Sequence, residues 1–208
     1  PLKLMSHDER ENALIQVLNY FRTNFAIDHR MLLSDRGEVE NLLRNTLNDD
    51  KLWSLDKKER IDAPRYMTIY NAGRTQMGIY TASIGPQSGL GKFIKRLYSS
   101  KDLPLPDRDT LREVLESLCD VLTGPWLRKE EKIRGDRTGA EGIPGYLLRA
   151  DCLNWLPGDG ETVSLDETRV VAYRELNQKP NPFFQELYKR DFTNYKKEIE
   201  GREHTGQL

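Results

Sequence analysis

The centre of the chain holds the pattern that most restricts its fold. Two segments with apolar side chains at helical spacing are followed by two segments rich in β-prone residues. Ser88 provides a helix cap before the first segment, and Thr123-Gly124-Pro125 ends the second. Helix, helix and hairpin in this order predict a winged-helix-like centre. The predicted elements are helices over 90–101 and 111–122 and strands over 126–131 and 145–155.

Further helices are predicted on both sides of this centre. Ser6 and Glu9 have the spacing of a capping box, in which each side chain bonds the other residue's backbone amide, and Thr110 and Glu113 repeat that spacing. Asn181-Pro182 is a strong start for a last helix. The remaining predicted elements are a helix over 38–47, β-prone segments over 66–70 and 77–84 that form a β-hairpin or an extended linker, and a strand over 169–174.

We therefore expect an α+β, helix-rich fold, with flanking helices around the winged-helix-like centre. Residues 1–84 are predicted to form a helical region that ends in the β-hairpin or the extended linker, and residues 85–160 the winged-helix-like domain. Residues 161–208 are predicted to supply a strand and a long helix. A chain of 208 residues is long enough to bury a substantial core.

Composition argues against several classes of function. The formal net charge is −1, so any attraction to nucleic acid must come from local clusters of charge. No apolar run approaches the roughly 20 residues that a membrane span needs. The three histidines are far apart, and neither Cys119 nor Cys152 has a partner at metal-ligand spacing. We expect two buried thiols in a cytoplasmic protein, with no metal site and no membrane contact.

The glycine-rich segment 85–93 invites comparison with a phosphate-binding loop. That motif needs glycine where this chain has Pro86, and it needs Ser or Thr, as a magnesium ligand, where this chain has Phe93. The segment is therefore interpreted as a turn that leads into a basic amphipathic helix. ATP binding by this segment is not expected.

Two clusters of basic residues are the candidates for nucleic-acid contact. The predicted helix over 90–101 holds four basic residues and no acidic one, and the segment 128–137 holds five basic and three acidic residues. Such clusters bind the phosphate backbone without reading base sequence, although a solvated protein surface carries similar ones. The candidates are Lys92, Lys95, Arg96, Arg128, Lys129, Lys132, Arg134, Arg137 and Arg149.

The second half of the chain resembles a known family. The segment Glu200-Gly201-Arg202-Glu203-His204-Thr205-Gly206-Gln207-Leu208 resembles the one that opens the second RecA-like lobe of large bacterial DEAD/DEAH-box helicases. These are superfamily-2 enzymes, and they include the DISARM-type helicases of phage-defence loci. Asn181-Pro182-Phe183-Phe184, the run 145–151 and Ser88-Gly89-Leu90-Gly91-Lys92-Phe93 are also similar to segments of that family. The part of the chain before Ser88 carries little of the resemblance.

The resemblance implies that the chain is one piece of a larger protein, between the two motor lobes of a helicase. The family's phosphate loop and Asp-Glu box have no counterpart here, so ATP and Mg²⁺ would bind the parent protein and no cofactor would bind this piece. His204 and Gln207 would lie at the edge of the second lobe, facing nucleic acid or the lobe interface. The first residue, Pro1, and the motif-like ending at Leu208 favour the same expectation.

Two functions fit these observations. The first is an accessory nucleic-acid-binding domain of an ATP-dependent DNA helicase or translocase in anti-phage defence. Its partners would be DNA or RNA, the motor lobes of the same parent chain and a partner subunit. The alternative is a protein-interaction or packing module without direct nucleic-acid contact. A self-contained enzyme is disfavoured, because the sequence holds no recognisable catalytic set.

Overall fold

The structure, a computed structural model, describes residues 1–46, 55, 58–70, 78–131, 133, 142–154 and 165–169. Four α-helices and five strands lie in these residues, which confirms the α+β class. The helices are α1 (His7–Thr23), α2 (Arg36–Thr46), α3 (Gly89–Ser99) and α4 (Arg108–Leu122). The strands are β1 (Ile27–Asp28), β2 (Arg65–Thr68), β3 (Tyr80–Ser83), β4 (Leu127–Glu130) and β5 (Gly145–Arg149).

The strands form one mixed, curled sheet in which β5 has neighbours on both edges. Leu148 faces Leu127 of the antiparallel β4 on one edge and Ile27 of the parallel β1 on the other. Tyr146 likewise faces β4 on one edge and Met67 of the antiparallel β2 on the other. β3 extends the sheet beyond β2. The sheet therefore holds β5 from both sides, which explains why Gly145 to Leu148 are all buried.

The pairing of β2 with β3 corrects the predicted β-hairpin. The strands lie close to the predicted β-prone segments, but they run parallel, in register from Arg65↔Tyr80 to Thr68↔Ser83. Hairpin strands are antiparallel, because a short turn reverses the chain. Residues 71–77, in the connection between the two strands, lie outside the described residues. Parallel pairing brings the carboxyl ends of both strands to the same edge of the sheet, and this placement bears on function.

The predicted winged-helix-like centre is present only as an order of elements. α3, α4, β4 and β5 follow one another as expected, and β4 pairs with β5 in antiparallel register. The described residues show no winged-helix arrangement, because β5 is an internal strand of a larger sheet. β5 is also shorter than predicted, since the chain enters a 3-10 turn at Ala150–Cys152 instead of continuing the strand.

The helix caps are partly as predicted. Ser6 and Glu9 form the expected capping box, with the Ser6 amide 2.8 Å from Oε2 of Glu9 and the Glu9 amide 3.2 Å from Oγ of Ser6. The box predicted from Thr110 and Glu113 is wrong. α4 begins three residues earlier, and Asp107 caps it by accepting a hydrogen bond from the Thr110 amide at 2.8 Å. A carboxylate is favoured there by the positive end of the helix dipole.

The hydrophobic core draws on both sides of the predicted boundary between residues 84 and 85. Phe21 from α1 and Met67 from β2 belong to the same buried cluster as Phe93 from α3, Leu115 from α4 and Tyr146 from β5. The predicted regions 1–84 and 85–160 therefore contribute to one core. The strand predicted over 169–174 and the helix predicted from Asn181 lie outside the described residues, apart from Arg169.

Candidate nucleic-acid interface

Helix α3 presents the first candidate surface. Ser88 caps the helix by accepting a hydrogen bond from the Gly91 amide at 3.0 Å, as its residue type predicts. Leu90, Phe93 and Ile94 are buried, so the helical period turns Lys92 outward and leaves Lys95 half-buried. Neither ammonium group has a hydrogen-bonded or ion-paired partner among the residues that the structure describes. Both are therefore available to a phosphate group from solution.

The two other basic residues of this region have partners. Arg96 donates from Nη2 to the carbonyl oxygen of Glu167, and its guanidinium lies 5.9 Å from the centre of the Phe93 ring. Lys101, just beyond α3, places Nζ 2.8 Å from Oε1 of Glu9 on α1. That bond is the main reason why the pKa of the Glu9 carboxyl is lowered. The structure thus divides the predicted cluster into two free and two engaged cations.

The three described candidates on β4 and β5 lie in ion pairs with carboxylates. Arg128 bonds Asp28 at 2.7 Å and Glu130 at 3.0 Å. Lys129 bonds Asp120 at 3.1 Å, and this hydrogen bond is the largest cause of a raised Lys129 pKa. A phosphate group would have to compete with these carboxylates for each cation. Arg149 is held in the same way, with its Nη2 2.5 Å from Oδ2 of Asp151.

The remaining predicted site residues cannot be placed on this surface. Lys132, Arg134 and Arg137, in the connection between β4 and β5, lie outside the described residues. His204 and Gln207, the residues expected at the edge of a second lobe, also lie outside them. Only Lys92 and Lys95 of the predicted set therefore form an adjacent, unpaired pair on a described element.

Close packing accounts for the glycines of the segment that resembles a phosphate-binding loop. A Cβ at Gly85 would lie 2.6 Å from the carbonyl oxygen of Ile69, and one at Gly89 would lie 2.7 Å from that of Thr168. A Cβ at Gly91 would lie 2.5 Å from the carbonyl oxygen of Gly85. The glycines let the turn pack against α3 and its neighbours, and they need no bound phosphate to explain them.

A polar cleft lies where β2 and β3 end, and sequence reasoning missed it. We name it the β2–β3 cleft. Its volume is about 440 Å³, and α4 contributes two arginines to its wall. The lining consists of Thr68, Ile69, Tyr70, Thr81, Ala82, Ser83, Gly85, Pro86, Gln87, Arg108 and Arg112.

The sequence carried one signal for this cleft. Arg108 and Arg112 are four residues apart, a spacing that places two side chains on the same face of a helix. The sequence analysis of α4 used only its apolar stripe, so this signal was overlooked. In addition, a β-hairpin formed by β2 and β3 would not have placed the carboxyl ends of both strands at the edge that the arginines face. Only the parallel pairing brings strands and arginines together.

An apolar groove of about 550 Å³ lies between the N-terminal residues and helices α1, α3 and α4. Its lining is almost entirely hydrocarbon, and Val121 at its edge is 73% exposed. An apolar surface of this kind is typical of protein contacts. The apolar helix side chains that line it are Ala13, Leu14, Val17, Ile94, Leu97, Val114, Leu118 and Val121, and α4 adds the polar Thr110, Glu113 and Ser117.

The two cysteines differ in environment. Cys119 is buried in the core as predicted, and burial raises the pKa of its thiol to about 12. Cys152 corrects the prediction, because it is exposed on the 3-10 turn after β5. Within the described part of the chain, no three His, Cys, Asp or Glu side chains are arranged to hold a metal ion. No helix of that part is long and apolar enough to cross a membrane.

Comparison with known proteins gives no family assignment: the chain matches no family model, and no curated protein or solved structure is significantly similar to it.

Proposed function

We propose that this chain is an accessory nucleic-acid-binding domain of an ATP-dependent helicase or translocase. The observation that supports the proposal most strongly is the pair Lys92 and Lys95 on α3. Lys92 is exposed and Lys95 is half-buried, and neither ammonium group has a carboxylate partner among the described residues. Adjacent unpaired cations on a rigid helix attract the phosphate backbone. The resemblance of the segments after Ser88 to large superfamily-2 helicases supports the wider context.

The contact proposed here uses helix α3 and does not require a winged helix. In a winged-helix mode, the connection between β4 and β5 would touch the nucleic-acid backbone beside the helix. Lys132, Arg134 and Arg137 would then add to Lys92 and Lys95. This finer mode is part of the proposal, and charge reversal in the connection tests it separately.

The test is binding of the purified chain to fluorescent single-stranded and forked DNA at low and moderate salt. The variant Lys92→Glu/Lys95→Glu should weaken binding at low salt by about tenfold or more, because each lost phosphate contact removes counterion release. The matched control Lys3→Glu/Arg10→Glu makes the same change in net charge at exposed positions outside α3. It should weaken binding much less.

Equal loss in the two variants would mean that only net charge matters, and it would overturn the role of α3. Absence of binding at low salt would overturn the proposal as a whole. The same measurements with RNA of the same length decide which nucleic acid is preferred.

The apolar groove supports a second candidate function, a packing module that docks other domains of the parent protein. Burial of an apolar groove is insensitive to salt, whereas phosphate contact weakens steeply as salt rises. Val121→Glu places a charge at the groove edge and should disrupt docking while leaving DNA affinity unchanged. Docking of another domain that Val121→Glu disrupts, together with no DNA binding at low salt, would favour this second function.

A further inference from the structure

We propose that the β2–β3 cleft is a binding site for a phosphate group, with Arg108 and Arg112 as the residues that bind it. Neither arginine belongs to the basic clusters that the sequence singles out, and the site is separate from the Lys92 and Lys95 surface. The proposal therefore does not rest on the proposed function. The ligand is a phosphate ester, either a backbone phosphate of nucleic acid or the phosphate of a free nucleotide.

The position of the cleft in the fold favours a ligand. It lies beyond the carboxyl ends of two parallel strands, at Thr68 and Ser83, and crevices at such strand ends are common ligand sites in open sheets with parallel strands. Its volume of about 440 Å³ falls within the range of roughly 300–1,000 Å³ that small-molecule sites occupy. A phosphate with an attached sugar fits a space of this size.

The charge of the lining selects for an anion. The cleft is lined by two arginines and by no Asp or Glu. Asp107 and Asp109 lie nearby on the chain but do not line it, and Asp107 is occupied as the cap of α4. Arg108 stands in the first helical turn, where the helix dipole disfavours a cation. An anion bound in the cleft would offset that cost.

Arg112 is held in position by its neighbours. Its Nη1 lies 2.6 Å from Oδ1 of Asp109, and its guanidinium carbon lies 5.6 Å from the centre of the Tyr70 ring. Tyr70 is in turn hydrogen-bonded to Glu116, one turn further along α4, and this bond is the main cause of a raised Tyr70 pKa. A phosphate group would have to compete with the Asp109 carboxylate for Arg112, whereas Arg108 has no such partner among the described residues. Arg108 is therefore the principal phosphate ligand in the proposal, and Arg112 is an oriented second one.

Hydroxyl groups complete the set of donors. Ser83 accepts a hydrogen bond from the Gly85 amide at 3.1 Å, which leaves its own proton free for a second acceptor. Thr68 and Thr81 line the cleft on the adjoining strands. Two guanidinium groups and nearby hydroxyls are donors suited to the oxygens of a phosphate, since arginine binds phosphate through paired hydrogen bonds.

Isothermal titration calorimetry of the full chain tests the site with two probes, pyrophosphate and a short oligothymidylate. Arg108→Gln should weaken pyrophosphate binding by about tenfold, the effect expected for loss of one charge-assisted hydrogen bond. Arg108 is exposed, and its side chain makes no hydrogen bond or ion pair with the residues that the structure describes, so this variant should keep the fold intact. Arg112→Lys keeps the charge but removes the paired donors, and it should weaken binding as well.

A control variant isolates the cleft. Arg10→Gln removes an exposed arginine from α1. It should leave pyrophosphate affinity unchanged. Circular dichroism of each variant confirms that the fold is retained.

The outcomes separate the two sources of phosphate. If the arginine variants weaken both probes, the cleft holds a backbone phosphate; if they weaken pyrophosphate alone, it holds a free phosphate ester. Either result supports the site even if Lys92→Glu/Lys95→Glu leaves DNA affinity unchanged, which would count against the proposed function only. The phosphate site in the β2–β3 cleft would be overturned if the wild-type chain failed to bind pyrophosphate, or if Arg108→Gln and Arg10→Gln bound it with equal affinity.

Discussion

Nη1 of Arg128 on β4 lies 2.7 Å from Oδ1 of Asp28 on β1, so this ion pair spans the strand between them, β5. A second carboxylate, from Glu130, lies 3.0 Å from Nη2 of the same guanidinium. Asp28 is largely buried, with 20% of its side chain exposed. Arg128 therefore links β4 to β1, the strands on either side of β5. Its positive charge is already paired with carboxylates of this chain.

Replacing Arg128 by Gln should change stability more than nucleic-acid affinity. We expect the free energy of unfolding to fall by roughly 0.2–1 kcal/mol, the range for partly exposed ion pairs. Oligonucleotide affinity should stay unchanged, because the guanidinium is already bound to carboxylates. Urea denaturation and fluorescence anisotropy measure the two effects. Lys92→Gln should show the reverse pattern, and a loss of affinity in Arg128→Gln that matches it would contradict the prediction.

Gly91→Ala should destabilise the protein. Its Cβ would lie 2.5 Å from the carbonyl oxygen of Gly85 and 2.8 Å from Cα of Pro86, both backbone atoms that cannot move aside cheaply. Overpacking of this kind costs roughly 1–3 kcal/mol of unfolding free energy.

The matched control is Gly37→Ala, because a Cβ at that helical position on α2 meets nothing within 4 Å. Alanine there should stabilise by up to about 1 kcal/mol through its higher helix propensity. Thermal melts of both variants give the comparison. If Gly91→Ala were as stable as Gly37→Ala, the close approach of the turn to α3 would be disproved.

The two thiols should react at very different rates. Cys152 is exposed, whereas Cys119 is buried and its pKa is raised to about 12, so it holds almost no thiolate at neutral pH. Titration with a chromogenic disulfide should modify one cysteine in the native protein and both in denaturant. Cys152→Ser should abolish the native reaction. Rapid labelling of Cys119 without denaturant would show that the core of α4 is open.

The cap of α4 should make stability depend on pH in the acid range. The hydrogen bond from the Thr110 amide lowers the pKa of Asp107 below its ordinary value of 3.8. A lowered carboxyl pKa contributes stability above the unfolded value and loses it as pH falls through the folded one. Thermal melts at neutral pH should find Asp107→Asn less stable than the wild type.

This difference should shrink as pH falls below 3.8, because asparagine keeps an uncharged acceptor whereas the wild-type cap becomes protonated. A difference that stays constant from neutral to acid pH would show that the charge of Asp107 does not contribute to the cap.

Local signals in the sequence were sufficient for most helices and strands. The caps at Ser6 and Ser88, the helical stripes of α1, α3 and α4, and the antiparallel pairing of β4 with β5 all correspond to described structure. Each of these depends on residues a few positions apart or on neighbouring strands. Even the error at the start of α4 is local, because Asp107 and Thr110 are both suitable cap residues and the sequence pattern alone did not rank them.

The candidate site was less predictable, because it depends on residues that are distant in sequence. Outward placement of Lys92 and Lys95 follows from the helical period, and the sequence predicted it. The ion pair of Arg128 with Asp28 could not be foreseen, since 100 positions separate the two residues and pairing across β5 must first bring them together.

The sequence by itself determined the class of the fold, the basic amphipathic helix that carries Lys92 and Lys95 and the absence of an intact phosphate-loop motif. Only the tertiary structure decided that β2 and β3 run parallel, that β5 lies inside the sheet and that Arg108 and Arg112 face the shared carboxyl edge. The physical reason is the distance along the chain over which each effect acts. Helical periodicity and capping act over about one turn, whereas strand direction is selected by how the whole sheet buries its faces, which no local pattern encodes.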